Sequence, residues 1–233
     1  MNSDPVNSGP ANQGPANQGP ADPGRAATPG DDGPQGGARR VPGSWASWRT
    51  AEPELATLLD PAGLELVKKA ADAAARWHGE QLRPTGEPYT VHLFEALEVI
   101  AVGAGEHDPE VLAATLLHDV VEDTPATLTE VEAEFGPVVA EYVDWVTKPP
   151  AASKRDKRAG KVAYLRRLRD APAPVVAIKL ADRASNVATL HRMPADFQRR
   201  YHAETVTYLL PLAEGHPFFE PWYRAWSVTY RPV

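Results

Sequence analysis

His118 and Asp119 stand side by side at the end of the apolar stretch Val111-Leu112-Ala113-Ala114-Thr115-Leu116-Leu117, and Glu122 and Asp123 follow three and four residues beyond Asp119. On a helix that spacing brings three carboxylates near one face. An apolar segment that ends in an imidazole and three acids suits cation binding and water activation better than packing alone. Two further residues extend the pattern: His92 upstream, and Asp182 within Lys179-Leu180-Ala181-Asp182-Arg183. His92, His118, Asp119 and Asp182 all fall on or beside segments with a core-facing pattern, so they form a candidate metal site. Two imidazoles and two carboxylates are a mixed nitrogen–oxygen donor set suited to Mn2+, Fe2+ or Zn2+. Such a set leaves positions for water and substrate. Asp119 cannot be ligand and base at once, which makes the acids at 122 and 123 useful as proton acceptors. Asp182 lies among Ile178, Leu180 and Ala181, where an unpaired carboxylate would be costly to bury.

Helices must position these residues, and the pattern from about residue 45 onward is helical throughout. Asp60 and Pro61 supply an N-cap and a first-turn proline. Leu64, Val67, Ala71, Ala74 and Trp77 follow at helical spacing up to Gly79. A second helix is expected from about 90 to 102, ended by Gly103. Asp108-Pro109 opens a third, which runs into the His118-Asp119 pair and stops at Thr124-Pro125. Thr127 and Glu130 form a capping box for a short helix that Gly136 ends. Pro137 starts the next, to about Lys148. A basic loop is expected over 149–160, then a helix to about Asp170, a break at Ala171-Pro172-Ala173-Pro174, and helices over 175–190 and 197–214. Phe219, Trp222, Trp226 and Tyr230 recur at helical spacing, as core packing or as the contact of a homo-oligomer. No alternating strand pattern is present, so the fold class is all-α.

A chain of 233 residues with 42% hydrophobic content suffices for one core. A formal charge of −7 argues against a general nucleic-acid binder, while a bound cation and local lysines still permit an anionic small molecule. The absence of cysteine removes disulfides, thiolate metal sites and thiol nucleophiles. The first residues lack a secretory pattern and no apolar run reaches membrane-span length, so a cytoplasmic protein without a membrane partner is expected. Gly9-Pro10-Ala11-Asn12-Gln13 repeats at 14–18 in a stretch poor in large apolar residues. Residues 1–44 are therefore expected to form a disordered leader and residues 45–233 a single domain.

His118-Asp119-Val120-Val121-Glu122-Asp123-Thr124 and Lys179-Leu180-Ala181-Asp182-Arg183, with Gly86-Glu87-Pro88-Tyr89 three residues before His92, resemble the HD metal-dependent phosphohydrolases. Within them, the likeness is to the hydrolase domain of RelA/SpoT proteins and the stand-alone small alarmone hydrolases. The resemblance runs over about residues 65–213. It implies an HD-domain helical bundle and an Mn2+-dependent 3′-pyrophosphohydrolase of guanosine tetra- or pentaphosphate, the alarmone of the stringent response. By the same resemblance His92, His118, Asp119 and Asp182 hold the metal, and Glu122 and Asp123 orient and deprotonate the attacking water. Arg83, Asn186, Lys179 and Thr189 would bind a small-molecule nucleotide. The chain departs from the family pattern at Pro84, Leu93, Val187-Ala188 and Leu209, positions that touch substrate recognition more than the metal. The alternatives are a phosphohydrolase of another nucleotide, such as an NADPH-type phosphatase, and an alarmone-binding sensor without turnover.

Overall fold

The computed structural model describes residues 43–149 and 153–232. The expected leader lies outside the described residues up to position 42. Ser44 already belongs to the folded part. Its N–H and hydroxyl donate to the buried Glu98 carboxylate at 2.9 and 2.6 Å, and the Trp45 N–H joins them at 2.8 Å. Eleven α-helices follow among the described residues, with no strand beyond a lone bridge between Leu82 and Pro88. The expected all-α class holds.

Helix α1 (Trp48–Leu58) precedes α2 (Pro61–His78), where the Asp60 carboxylate accepts from the Gly63 N–H at 2.7 Å as an N-cap should. α3 (Tyr89–Glu98) continues into a π-helical turn, Val99–Gly103. α4 (Pro109–Leu117) starts on the Asp108 cap, and every residue from Val111 to Leu117 is buried. A helix apolar on all sides belongs in the middle of a bundle, and α4 packs against α2, α3, α7 and α9. α4 ends before the His118-Asp119 pair. The pair lies in a turn ahead of the short α5 (Val120–Asp123), not on the continuing helix that the sequence suggested. α6 (Leu128–Phe135) carries the Thr127–Glu130 capping box, and α7 (Pro137–Val146) begins after Gly136.

The second half differs more from expectation. α8 (Lys154–Arg167) begins inside the stretch expected as a basic loop, because Ser153 caps it through the Asp156 N–H at 3.1 Å. Pro174 does not break the chain but occupies the first turn of α9 (Ala173–Ala188), where no backbone N–H is required. The single helix expected over 197–214 is α10 (Ala195–Glu204) followed by a π turn and a 3-10 turn. In α11 (Phe219–Thr229) Phe219, Trp222, Tyr223 and Trp226 are buried in the chain's own core. Tyr230 donates to Gln198 Oε1 at 2.6 Å. Of the aromatic stripe expected to serve core or oligomer, Phe219, Trp222 and Trp226 belong to this chain's core and Tyr230 packs against it.

Gly103 marks a close approach in this packing. A Cβ there would lie 2.6 Å from Phe218 Cζ. Gly103→Ala is expected to lower stability by about 1–3 kcal/mol through overpacking, read as a lower urea midpoint at unchanged slope.

Candidate metal centre

α3, α4 and α9 pack on one another, and this meeting brings the four candidate ligands together. His92 comes from α3, His118 and Asp119 from the turn after α4, and Asp182 from the middle of α9. One ligand atom from each lies within 4.8 Å of all the others. His92, His118 and Asp182 are almost completely buried. The Asp119 side chain is 14% exposed, on the open side.

The imidazoles are oriented from behind. His118 Nδ1 lies 2.7 Å from the Thr115 carbonyl, which only accepts, so Nδ1 carries a proton. His92 Nδ1 lies 2.8 Å from Ser185 Oγ. Both Nε2 atoms are buried without a directed hydrogen bond, although carboxylate oxygens stand close. His118 Nε2 is 3.0 Å from Asp119 Oδ2, and His92 Nε2 is 3.2 Å from Asp182 Oδ1. Nitrogens and oxygens surround a common point instead of pairing off. Buried polar atoms left this way need a partner, and the donor set fits a divalent cation of the Mn2+, Fe2+ or Zn2+ type.

Charge in the cluster is balanced by its own residues. Burial opposes a charge on His118, but Asp119 and Asp182 outweigh it and raise its pKa to about 10. Burial also favours neutral carboxyls at Asp119 and Asp182. Against it, His118 holds Asp119 low, and Lys179 holds Asp182 well below the usual carboxylate range. The Lys179 ammonium is buried, 2.5 Å from Asp182 Oδ2 and above the Tyr164 ring. It thus pairs directly with one of the four candidate ligands.

The two acids read from sequence as a water-activating pair part company. Glu122 turns to Lys148, with both carboxylate oxygens 2.8 Å from its Nζ. Asp123 turns to the centre. Tyr89 OH lies 2.6 Å from Asp119 Oδ2 and 2.8 Å from Asp123 Oδ2. The single phenolic proton thus lies between two carboxylate acceptors. Burial and the Asp119 charge push the Asp123 carboxyl up from its ordinary value. His78, which matches no ligand pattern, stacks on Tyr89 at 4.5 Å between ring centroids.

Of the four expected substrate contacts, two face inward. Arg83 is 9% exposed, with its guanidinium on Glu95 (3.2 Å) and Asn186 (3.1 Å), and Lys179 is on Asp182. Asn186 and Thr189 are half-buried at the end of α9. A separate cavity of about 670 Å³ lies between α8 and α10. Lys161, Phe197, Arg200, Tyr201 and Tyr208 are among its walls, and none of the four candidate ligands is. Sequence reading passed over Tyr89, Glu95, Ser185 and Lys148 as site residues. The first three had a signal: Tyr89 and Glu95 flank His92 at three residues, and Ser185 follows Asp182 at three, the spacing that shares a helix face.

An all-α bundle that brings two histidines and two aspartates to one point, from two helices and the turn after a third, is the architecture of a known class. The HD domain family model matches residues 70–216, and the chain belongs to that family. Among curated proteins it is similar to the bifunctional (p)ppGpp synthase/hydrolase SpoT of Escherichia coli (strain K12), 38% identical over 160 residues, covering 67% of this chain and 22% of that protein. It is also similar to a guanosine-3′,5′-bis(diphosphate) 3′-pyrophosphohydrolase of Aquifex aeolicus (strain VF5), 36% identical over 165 residues, covering 70% of this chain and 23% of that one. The chain therefore spans less than a quarter of the length of these relatives. A solved structure of a metazoan ortholog of SpoT, described as hydrolysing ppGpp and playing a role in starvation responses, superposes with a TM-score of 0.61 at 27% identity. The match covers 71% of this chain and 93% of that one. No described helix is long and apolar enough to cross a membrane.

Proposed function

We propose that this protein is a cytoplasmic, metal-dependent phosphohydrolase that removes pyrophosphate from the 3′ position of ppGpp and pppGpp. The observation that carries the reading is the convergence of His92, His118, Asp119 and Asp182 with both buried Nε2 atoms lacking a directed hydrogen bond. The substrate is supported by similarity to ppGpp hydrolases, one of which the chain matches over 93% of its solved length.

His92, His118, Asp119 and Asp182 would hold a divalent cation, Mn2+ on this reading. When bound, such a cation supplies Lewis-acid polarisation of a phosphate oxygen and acidification of water. The chain's own groups do the rest. Tyr89 holds Asp123 beside Asp119, where a carboxylate can accept the proton of an attacking water. Glu122, held by Lys148, stands one residue away at the rim and orients the water with it. Lys179 keeps Asp182 ionised and fixed. Asn186 and Thr189 are the positions assigned to the nucleotide, and Arg83 and Lys179 support the site from within.

Incubating the Mn2+-loaded protein with a nucleotide panel and identifying products tests this. Pyrophosphate released from ppGpp, with GDP formed, is expected. Orthophosphate released from another nucleotide, with ppGpp untouched, would overturn the substrate and leave a phosphatase of the alternative kind.

A further inference from the structure

An unbroken chain of side-chain hydrogen bonds joins the candidate ligand on α3 to the one on α9. Asn186 Nδ2 donates to Asp182 Oδ1 at 2.5 Å, and Asn186 Oδ1 accepts from Arg83 Nη2 at 3.1 Å. Arg83 Nη1 reaches Glu95 Oε2 at 3.2 Å, and the same oxygen accepts from the Ser185 hydroxyl at 2.5 Å. Ser185 Oγ then meets His92 Nδ1 at 2.8 Å. Ser185 is 1% exposed and His92 2%, so water cannot replace these partners cheaply.

The proton directions along this chain follow from its chemistry. A guanidinium only donates, so Glu95 Oε2 accepts from Arg83. Ser185 has one proton, and it goes to the Glu95 carboxylate. Its oxygen is left to accept from His92, whose Nδ1 must then carry the imidazole proton. That tautomer leaves Nε2 with a lone pair facing Asp182 and the cluster. A neutral serine hydroxyl with its proton free could have pointed either way; the Glu95 carboxylate removes the choice, and Arg83 holds Glu95 in place.

We infer that Ser185, Glu95 and Arg83 are positioning residues that fix the tautomer and ring orientation of His92. Arg83 and Asn186 thereby tie the loop before α3 to the ligand on α9. The inference rests on the reading of His92 and Asp182 as metal ligands. It moves Arg83 from the substrate to the support of the metal centre, which predicts an effect visible with no nucleotide present. Groups that orient a ligating histidine commonly alter metal affinity by about 10–100-fold when removed.

The test is Mn2+ titration by calorimetry without nucleotide, on the full chain, beside thermal unfolding in chelator. Ser185→Ala and Arg83→Met are each expected to weaken Mn2+ binding about ten-fold or more, whereas Ser185→Thr, which keeps the hydroxyl, retains it. A residue needed for packing alone would shift the unfolding temperature in chelator without that rescue pattern. Should Ser185→Ala fail to fold, Arg83→Met and Ser185→Thr still decide. Wild-type Mn2+ affinity in Ser185→Ala and Arg83→Met, with binding lost in His92→Ala, would overturn the inference and leave the metal assignment intact. Wild-type affinity in His92→Ala would overturn both.

Discussion

Alanine at Asp119 is expected to abolish Mn2+ binding and hydrolysis together, and asparagine at Asp182 to do the same. Each carboxylate supplies one of two anionic donors in a buried cluster whose other donors, once a cation displaces the proton on His118, are neutral imidazole nitrogens. Removing one leaves too little charge to draw a divalent cation out of water. Asp182→Asn is the better probe on α9 because the amide oxygen still accepts from Lys179. Asp182→Ala would leave a buried ammonium unpaired and cost about 3–5 kcal/mol of stability besides. Calorimetry with Mn2+ and a pyrophosphate-release assay check both substitutions. A variant that stays fully active and metal-loaded would sink the ligand assignment.

The second large effect separates the acids of α5. Asp123→Asn is expected to keep the metal yet lose turnover by about 10²–10⁴-fold, the range of a general base. Glu122→Gln should lose much less, because Glu122 is held by Lys148 while Asp123 shares the Tyr89 hydroxyl with Asp119. With the Asp123 carboxyl pushed up by burial and by Asp119, activity should fall on the acid side at a pH above that of an ordinary aspartate. In Asp123→Asn this limb disappears. Steady-state rates across pH at saturating Mn2+ check both points, and a larger loss at Glu122 than at Asp123 would reverse the roles.

Much of the scaffold was legible because its boundaries are written in residue chemistry. Asp60-Pro61, Asp108-Pro109 and Thr127 with Glu130 all cap helices where their side chains said they would. The errors came where one residue type has two meanings. Pro174 reads as a breaker, yet in the first turn of α9 its missing N–H costs nothing. The charged run after Ser153 has no apolar period to betray a helix, although Ser153 and Asp156 form its cap. The four residues that converge as candidate ligands were legible because imidazoles and carboxylates on core-facing segments demand a partner. The division between Glu122 and Asp123 was not, since Lys148 lies 26 residues away from Glu122 in sequence and only the tertiary fold brings the two together. Arg83 reads as a substrate contact by resemblance, and nothing local in the sequence announces the Glu95 and Asn186 side chains that meet its guanidinium.

The lysine buried against Asp182 has a further consequence, for the order in which the molecule is assembled. Two carboxylates, one ammonium and one imidazolium cancel within the cluster. Small zinc modules have no such compensation and no large core, and they fold only around their ion. Here a continuous apolar core surrounds a site that is self-neutralised, so the polypeptide can reach its native shape first and recruit its cation afterwards.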